Sequence, residues 1–295
     1  MNGTSGLHRL RYYTPLRYPG GKGKLAPYMK SLLKMNKVLD GEYVEPYAGG
    51  SAIALELIFH EYVSKVHIND ISRAVHAFWH SVLSQTERLC KLIRDSPISL
   101  RTWDKQKKIF SNQNDFDDLE LGFATFFLNR TNRSGILNGG VIGGRSQDGS
   151  WKIDARFNRE ELIFRIQSIA KMKDRIHLTR MDAIKLLQRY GEKWPAKTFI
   201  YLDPPYYEKG RDLYYDFYQP QDHATIQRYL TTTLSKKLWA ISYDNVRPIR
   251  ALYRGRQRIT YTVGYSARDT RQGDEVMFFS DALLKPPRRV KPALS

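Results

Sequence analysis

A short apolar run, Thr198-Phe199-Ile200-Tyr201-Leu202, leads directly into Asp203-Pro204-Pro205-Tyr206. An uninterrupted apolar run of this length predicts a strand buried on both faces, as in the middle of a parallel sheet with helices on either side. Open sheets of that kind bind their ligands beyond the carboxyl ends of the strands. Asp203 to Tyr206 therefore stands where chemistry is expected. Two successive prolines fix φ and remove two backbone donors. The loop is stiff and its carbonyls have no competing N–H. A carboxylate followed by a bare carbonyl makes a good acceptor pair for an exocyclic amine, and Tyr206 offers a flat face for stacking.

The rest of the pattern agrees with an α/β class. Residues 43–46 read as a strand, 47–50 as a glycine turn, 51–62 as a helix, and 65–68 as a second strand ending in Asn69-Asp70. That is a βαβ unit. Gly49 and Gly50 would let the backbone approach a ligand closely, or would serve only close packing of helix on strand. Asp70 follows at about the 20-residue offset where such folds hold ribose hydroxyls; a helix N-cap explains it equally well. G-x-G-x-x-G is absent, so a nucleoside without a pyrophosphate fits better than a dinucleotide. Lys22 lies in a loop, residues 15–24, rich in glycine and proline. It suits a ligand carboxylate, or is a basic residue of a basic loop; the phosphate-loop pattern G-x-x-x-x-G-K-[ST] is missing.

Beyond residue 176 the texture repeats. A strand is predicted at 177–179, followed by Asp182 and a helix to 190. A helix follows at 221–234, then a strand at 238–242 and a closing antiparallel pair at 258–263 and 275–280. Residues 75–175 differ. They hold long amphipathic stretches, such as 74–95, and an irregular section at 129–149 with six glycines. That section carries Asn129, Arg130, Asn132, Arg133, Asn138 and Arg145, residue types that contact phosphates and purine edges. The alternative is a solvated surface loop.

The chain has 48 Lys and Arg against 30 Asp and Glu, a net charge of +18. Such an excess points to a polyanionic partner, nucleic acid or an anionic membrane surface. No stretch approaches the ~20 apolar residues that span a bilayer, and residues 1–11 lack the apolar region of a secretory signal. Cys90 is the single cysteine, which excludes a disulfide framework and a Cys-rich zinc site and suggests a reducing, cytoplasmic location. The histidines show no metal-ligand spacing, so no metal is expected. Both termini, including the basic stretch 286–295, are expected to fray.

Taken in order, these motifs resemble the Dam-type, D12 class, DNA adenine-N6 methyltransferases, over residues 16–280. The resemblance implies an α/β fold: a doubly wound, Rossmann-like methyltransferase sheet formed by residues 1–74 and 176–285. Residues 75–175 would be an inserted, mostly helical DNA-recognition domain. It implies S-adenosylmethionine as cofactor. Tyr18 and Lys22 would contact its methionine end; Glu45, Tyr47, Gly49 and Gly50 would form the turn beneath it. Asp70, with Ile71 beside it, would bind the ribose and Asp182 the adenine, with Asp203 also bordering the cofactor. Tyr18 and Tyr47 stand where the family more often has Trp and Phe, and both keep a ring. Asp203, Pro204, Pro205 and Tyr206 would be catalytic and act on a flipped adenine. Asn129, Arg130, Asn132, Arg133, Asn138 and Arg145 would contact DNA. The implied partner is double-stranded DNA, with or without a cognate restriction endonuclease. Three alternatives compete: cytosine N4 as the acceptor, a non-catalytic DNA-binding regulator on the same fold, and a nicotinamide-dependent oxidoreductase.

Overall fold

The computed structural model describes residues 13–17, 22–207, 218–265 and 271–284. Tyr18 and the stretch 286–295 lie outside them. Strands β1 (Gly41–Glu45), β2 (Val63–Asn69), β3 (Ile176–Thr179), β4 (Thr198–Leu202) and β5 (Leu238–Asp244) are paired in parallel. Strand β7 (Arg271–Phe279) pairs antiparallel with both β5 and β6 (Arg258–Tyr265). The order across the sheet is β3-β2-β1-β4-β5-β7-β6. The chain moves outward from β1 to β3 and then returns to lay β4 beside β1. The strand order therefore reverses between β1 and β4, the position at which open α/β sheets form a crevice.

Period-two alternation divides the sheet into two cores. Tyr43, Phe199, Tyr201, Ala240, Met277 and Phe279 point into one. Val44, Ile200, Leu202, Trp239, Ile241 and Phe278 point into the other. The second face is covered by α8 (Ala183–Tyr190), α9 (Pro220–Thr231) and α10 (Arg247–Leu252), through Leu187, Ile226, Leu230 and Ile249. The first is covered by α1 (Ala26–Met35), α2 (Ala52–Phe59) and the helical stretch between β2 and β3.

That stretch comprises α3 (Arg73–Ser84), α4 (Thr86–Asp95), α5 (Leu100–Ser111), α6 (Asp118–Thr131) and α7 (Arg159–Ala170). Its starts are specified locally. Ser72, Ser99 and Asn158 accept backbone N–H groups of the first turns of α3, α5 and α7, and Asp117 with Glu120 forms a capping box on α6. The amphipathic stretch expected over 74–95 is two helices, broken at Gln85, whose φ is −133° and ψ 33°. Residues 75–175 do not keep a core of their own. Phe78, Trp79, Phe126, Phe127 and Ile166 join the same cluster as sheet residues Tyr43 and Phe199. Among the described residues, no helix is long and apolar enough to cross a membrane.

Helices α3 and α6 approach each other closely at Gly122. A Cβ there would stand 2.5 Å from Ser81 Oγ and 2.6 Å from the Ala77 carbonyl oxygen. The helix-propensity gain of alanine over glycine is about 1 kcal/mol. Overpacking against a backbone carbonyl costs about 1–3 kcal/mol and outweighs it. Gly122→Ala is expected to lower the thermal midpoint by several degrees; a midpoint at or above wild type would show that the helices tolerate the methyl.

Candidate active site

The turns after β1, β2 and β3 are tied into one edge. Gly49 and Ser51 adopt φ of +46° and +47°. The Gly49 N–H donates to Asp70 Oδ2 at 2.9 Å, and the Ser72 N–H donates to Asp70 Oδ1 at 3.0 Å. From the helical stretch, Trp79 Nε1 donates to the Gly49 carbonyl at 2.9 Å. Asn69 is buried and stitches three strand ends: its Nδ2 donates to the Pro46 and Met181 carbonyls, and its Oδ1 accepts from Thr179 Oγ1 and the Met181 N–H. Asp182 caps α8 by accepting from the Lys185 N–H at 3.0 Å. Tyr47 donates its hydroxyl hydrogen to Tyr218. Ile71 keeps 44 % exposure, a large apolar side chain left uncovered on the site wall.

Glu45 is buried at the end of β1. Its Oε1 accepts from the Tyr43 hydroxyl at 2.9 Å and from the Ala54 N–H at 3.3 Å. Burial pushes its carboxyl up to about 8 against those two hydrogen bonds, a shift that favours the neutral acid.

Asp203 begins the loop after β4 and belongs to a cluster of charged groups. Lys22 Nζ donates to Glu275 Oε1 at 2.8 Å and to the Tyr206 hydroxyl at 2.9 Å, and lies 3.4 Å from Asp203 Oδ1. The Tyr206 hydroxyl in turn donates to Glu275 Oε1 at 2.5 Å. Glu275, on β7, is fully buried. Burial pushes the Asp203 carboxyl up to about 6, with Lys22 pulling it down and the Glu275 charge adding to the rise. Pro204 is buried, while Asp203, Pro205 and Tyr206 line the site. The backbone N–H of Tyr207 donates to Asp244 Oδ1 at 3.0 Å, which fixes the far end of the loop.

A single cavity of about 940 Å³ joins these parts. One wall is the turn from Glu45 to Ile53 with Asp70, Ile71 and Asp182; the next is Asp203, Pro205, Tyr206 and Lys22; a third comes from the helical stretch, at Phe110, Asn114 and residues 135–138. Lys22, Glu45, Tyr47, Gly49, Gly50, Asp70, Ile71, Asp182 and Asp203 of the sequence-based cofactor set all line it. Glu275 was not found from sequence. Its signal was a carboxylate directly before an apolar run, Val276-Met277-Phe278-Phe279, where burial of a charge calls for a partner of opposite sign. Lys22 is that partner, with a protein carboxylate beside it where a ligand carboxylate was expected.

The polar residues expected to meet DNA divide into two groups. Asn129, Arg130 and Asn132 are buried, and the expectation that they form a DNA-facing loop is corrected. Asn129 Oδ1 accepts from the Arg17 N–H at 2.7 Å, and its Nδ2 donates to the carbonyls of Arg17 and Gly135. Arg130 Nε donates to the Pro15 carbonyl at 2.7 Å. Asn132 Oδ1 accepts from Trp103 Nε1, and its Nδ2 donates to the carbonyls of Ile136 and Leu137. These side chains replace backbone partners where α6 ends, because buried polar groups must be paired. Arg133, Asn138 and Arg145 stay exposed. Asn138 lines the main cavity, and Arg145 holds Asp104 with both terminal nitrogens. Among the described residues, no group of three or more His, Cys, Asp or Glu side chains is arranged to hold a metal ion.

Comparison with known proteins bears on this geometry. Over 206 residues the chain is 25% identical to the type II methyltransferase M.MjaIII of Methanocaldococcus jannaschii, covering 65% of this chain and 68% of that protein. Among solved structures it is similar to the rRNA methyltransferase aviRa of Streptomyces viridochromogenes, at 13% identity and TM-score 0.42, over 96% of this chain and 95% of that one. It is also similar to a SAM-dependent methyltransferase of Agrobacterium tumefaciens, at 11% identity and TM-score 0.37, over 88% and 62%. Likenesses this remote say nothing about activity. The model of the D12 class N6 adenine-specific DNA methyltransferases matches residues 18–266, which contain every element that builds the cavity. The chain belongs to that family.

Proposed function

We propose that the cavity takes S-adenosylmethionine at the β1 end and an adenine extruded from duplex DNA at the Asp203 end, and that the adenine N6 amine is the methyl acceptor. The observation that carries this reading is the continuity of the cavity between Asp70 and Asp203. The residues at the β1 end fit a nucleoside sulfonium. Asp70 would accept from its ribose hydroxyls, Ile71 would cover an apolar face, and Asp182 would face its base. The buried, neutral Glu45 adds no second charge beneath it. When bound, that cofactor supplies an electrophilic methyl group.

The protein's own task is to make a poor nucleophile competent. The N6 lone pair is delocalised into the purine ring. Asp203 and the Pro204 carbonyl accept its two hydrogens, which favours a tetrahedral nitrogen with a free lone pair. Once methylated, that nitrogen carries an extra proton. Asp203, with its raised affinity for a proton, takes it. Tyr206 stacks on the base, and Lys22 and Glu275 hold the Tyr206 hydroxyl so that the ring keeps its angle. A stacked adenine cannot reach Asp203, so extrusion is required. Positioning and fixed charge supply the acceleration. The exposed Arg133 and Asn138 flank the entrance as DNA contacts, and the chain works in the cytoplasm.

Asp203→Ala is expected to lower tritiated methyl transfer to DNA by about 100-fold or more while DNA binding persists; near-normal transfer would refute its role. Digestion of methylated DNA to nucleosides is expected to give N6-methyladenine; N4-methylcytosine would select the alternative acceptor. The reactive form of Asp203 is the carboxylate. kcat/KM is therefore expected to fall as pH drops through about 6, the limb reporting free enzyme. Glu275→Gln removes the like charge that raises Asp203, so the acid limb should move to lower pH and kcat should drop as Tyr206 loses its anchor. An unmoved limb would remove Glu275 from the mechanism.

A further inference from the structure

His223, in the first turn of α9, is 1 % exposed and takes no part in the chemistry above. Its imidazole is ringed by tyrosines. The ring centroids of Tyr207, Tyr218 and Tyr243 lie 5.2, 5.5 and 5.4 Å from its own. Nδ1 is hydrogen-bonded to the Tyr243 hydroxyl at 3.1 Å. Nε2 is buried and has no hydrogen-bond partner among the described residues. Burial lowers the ring's affinity for a proton, against the charges of Asp244 and Asp222, which favours the neutral imidazole.

A position filled for packing alone is better served by an apolar side chain, because a buried polar atom without a partner is costly. What the ring touches accounts for the histidine. Tyr207 directly follows Tyr206, and its N–H donates to Asp244, the neighbour of Tyr243 on β5. Tyr218 lines the large cavity, and its hydroxyl accepts from Tyr47 in the turn after β1. Two sides of the cavity, the Asp203 loop and the Tyr47 wall, thus rest on one imidazole. The bond to Tyr243 sets the angle of that imidazole. Tyr243 is itself fully buried on β5, which is paired on both sides, with β4 and β7. It is a fixed reference for both.

We propose that His223 is a positioning residue: a shared anchor that holds the Asp203 loop and the Tyr47–Tyr218 wall at one spacing. The inference rests on the function proposed above, which puts the methyl acceptor at the loop and the cofactor beside the wall. His223 acts through the tyrosines alone. Methyl transfer needs donor and acceptor close to contact and in line, so the spacing of the two sides enters the rate directly.

The test uses full-length protein and the double variant His223→Phe, Tyr243→Phe. It keeps a ring at both positions and removes both partners of the bond, so no polar group is orphaned. Its thermal midpoint should stay within a few degrees of wild type. The single-turnover rate of methyl transfer should fall about 10-fold, less than the roughly 100-fold that a 1 Å misplacement costs, with KM for duplex DNA unchanged. Calorimetric affinity for S-adenosylhomocysteine should fall about threefold, as expected for one hydrogen bond made less well. Tyr243→Phe alone deletes one oxygen and should reproduce both losses, which covers the case of a double variant that does not fold. Wild-type rate and affinity in a folded variant would reduce His223 to core packing and overturn the proposal. A loss confined to the rate assigns it to the loop only, and a loss confined to affinity assigns it to the wall only; either overturns the shared anchor. Wild-type protein that binds S-adenosylhomocysteine yet methylates no DNA would sink the proposed function instead, and the affinity arm would still decide whether His223 supports the wall.

Discussion

A buried ammonium holds the site together. Lys22 comes from the first turn after the N-terminal loop, Glu275 from the last strand, and Asp203 and Tyr206 from the loop between them in sequence. Deleting one partner of a buried pair leaves the other charge without compensation, at about 3–5 kcal/mol. The Lys22 turn and the last strand are therefore held against the central strand by an ammonium that also lies 3.4 Å from Asp203. Burial pushes the Asp203 carboxyl up to about 6 and the Glu275 charge adds to the rise, while the Lys22 ammonium pulls against both.

The second organising constraint is the reversal of strand order between β1 and β4. It opens a crevice at one sheet edge, and the chain fills one side of that crevice with helices inserted between β2 and β3. These helices pack into the sheet's own core. An insertion fused in this way has no separate core about which to swing. The polar knot at Asn129 ties α6 to the backbone of Arg17 and Gly135, and the close approach at Gly122 seats α6 on α3.

The sheet was readable from sequence because its signals are local. Phe199 and Tyr201 alternate with Ile200 and Leu202, and the double proline stops the strand. The turn at Gly49 and the acid at Asp70 were readable for the same reason. What was hidden depends on distant partners. Nothing local separates Asn129, Arg130 and Asn132, which satisfy carbonyls at a helix end, from Arg133 and Asn138, which face solvent. Asn129 meets Arg17 across 112 residues. Glu275 meets Lys22 across 253. The break at Gln85 carries neither glycine nor proline and follows from how α3 and α4 pack.

Trp79 has one further consequence for the molecule. Its indole belongs to the inserted helices, yet its N–H is bonded to the carbonyl of Gly49, in the turn that lines the β1 end of the crevice. Any displacement of α3 is thereby coupled to that carbonyl, and any displacement of the turn to the indole. Thermodynamic reciprocity makes the two effects equal in free energy.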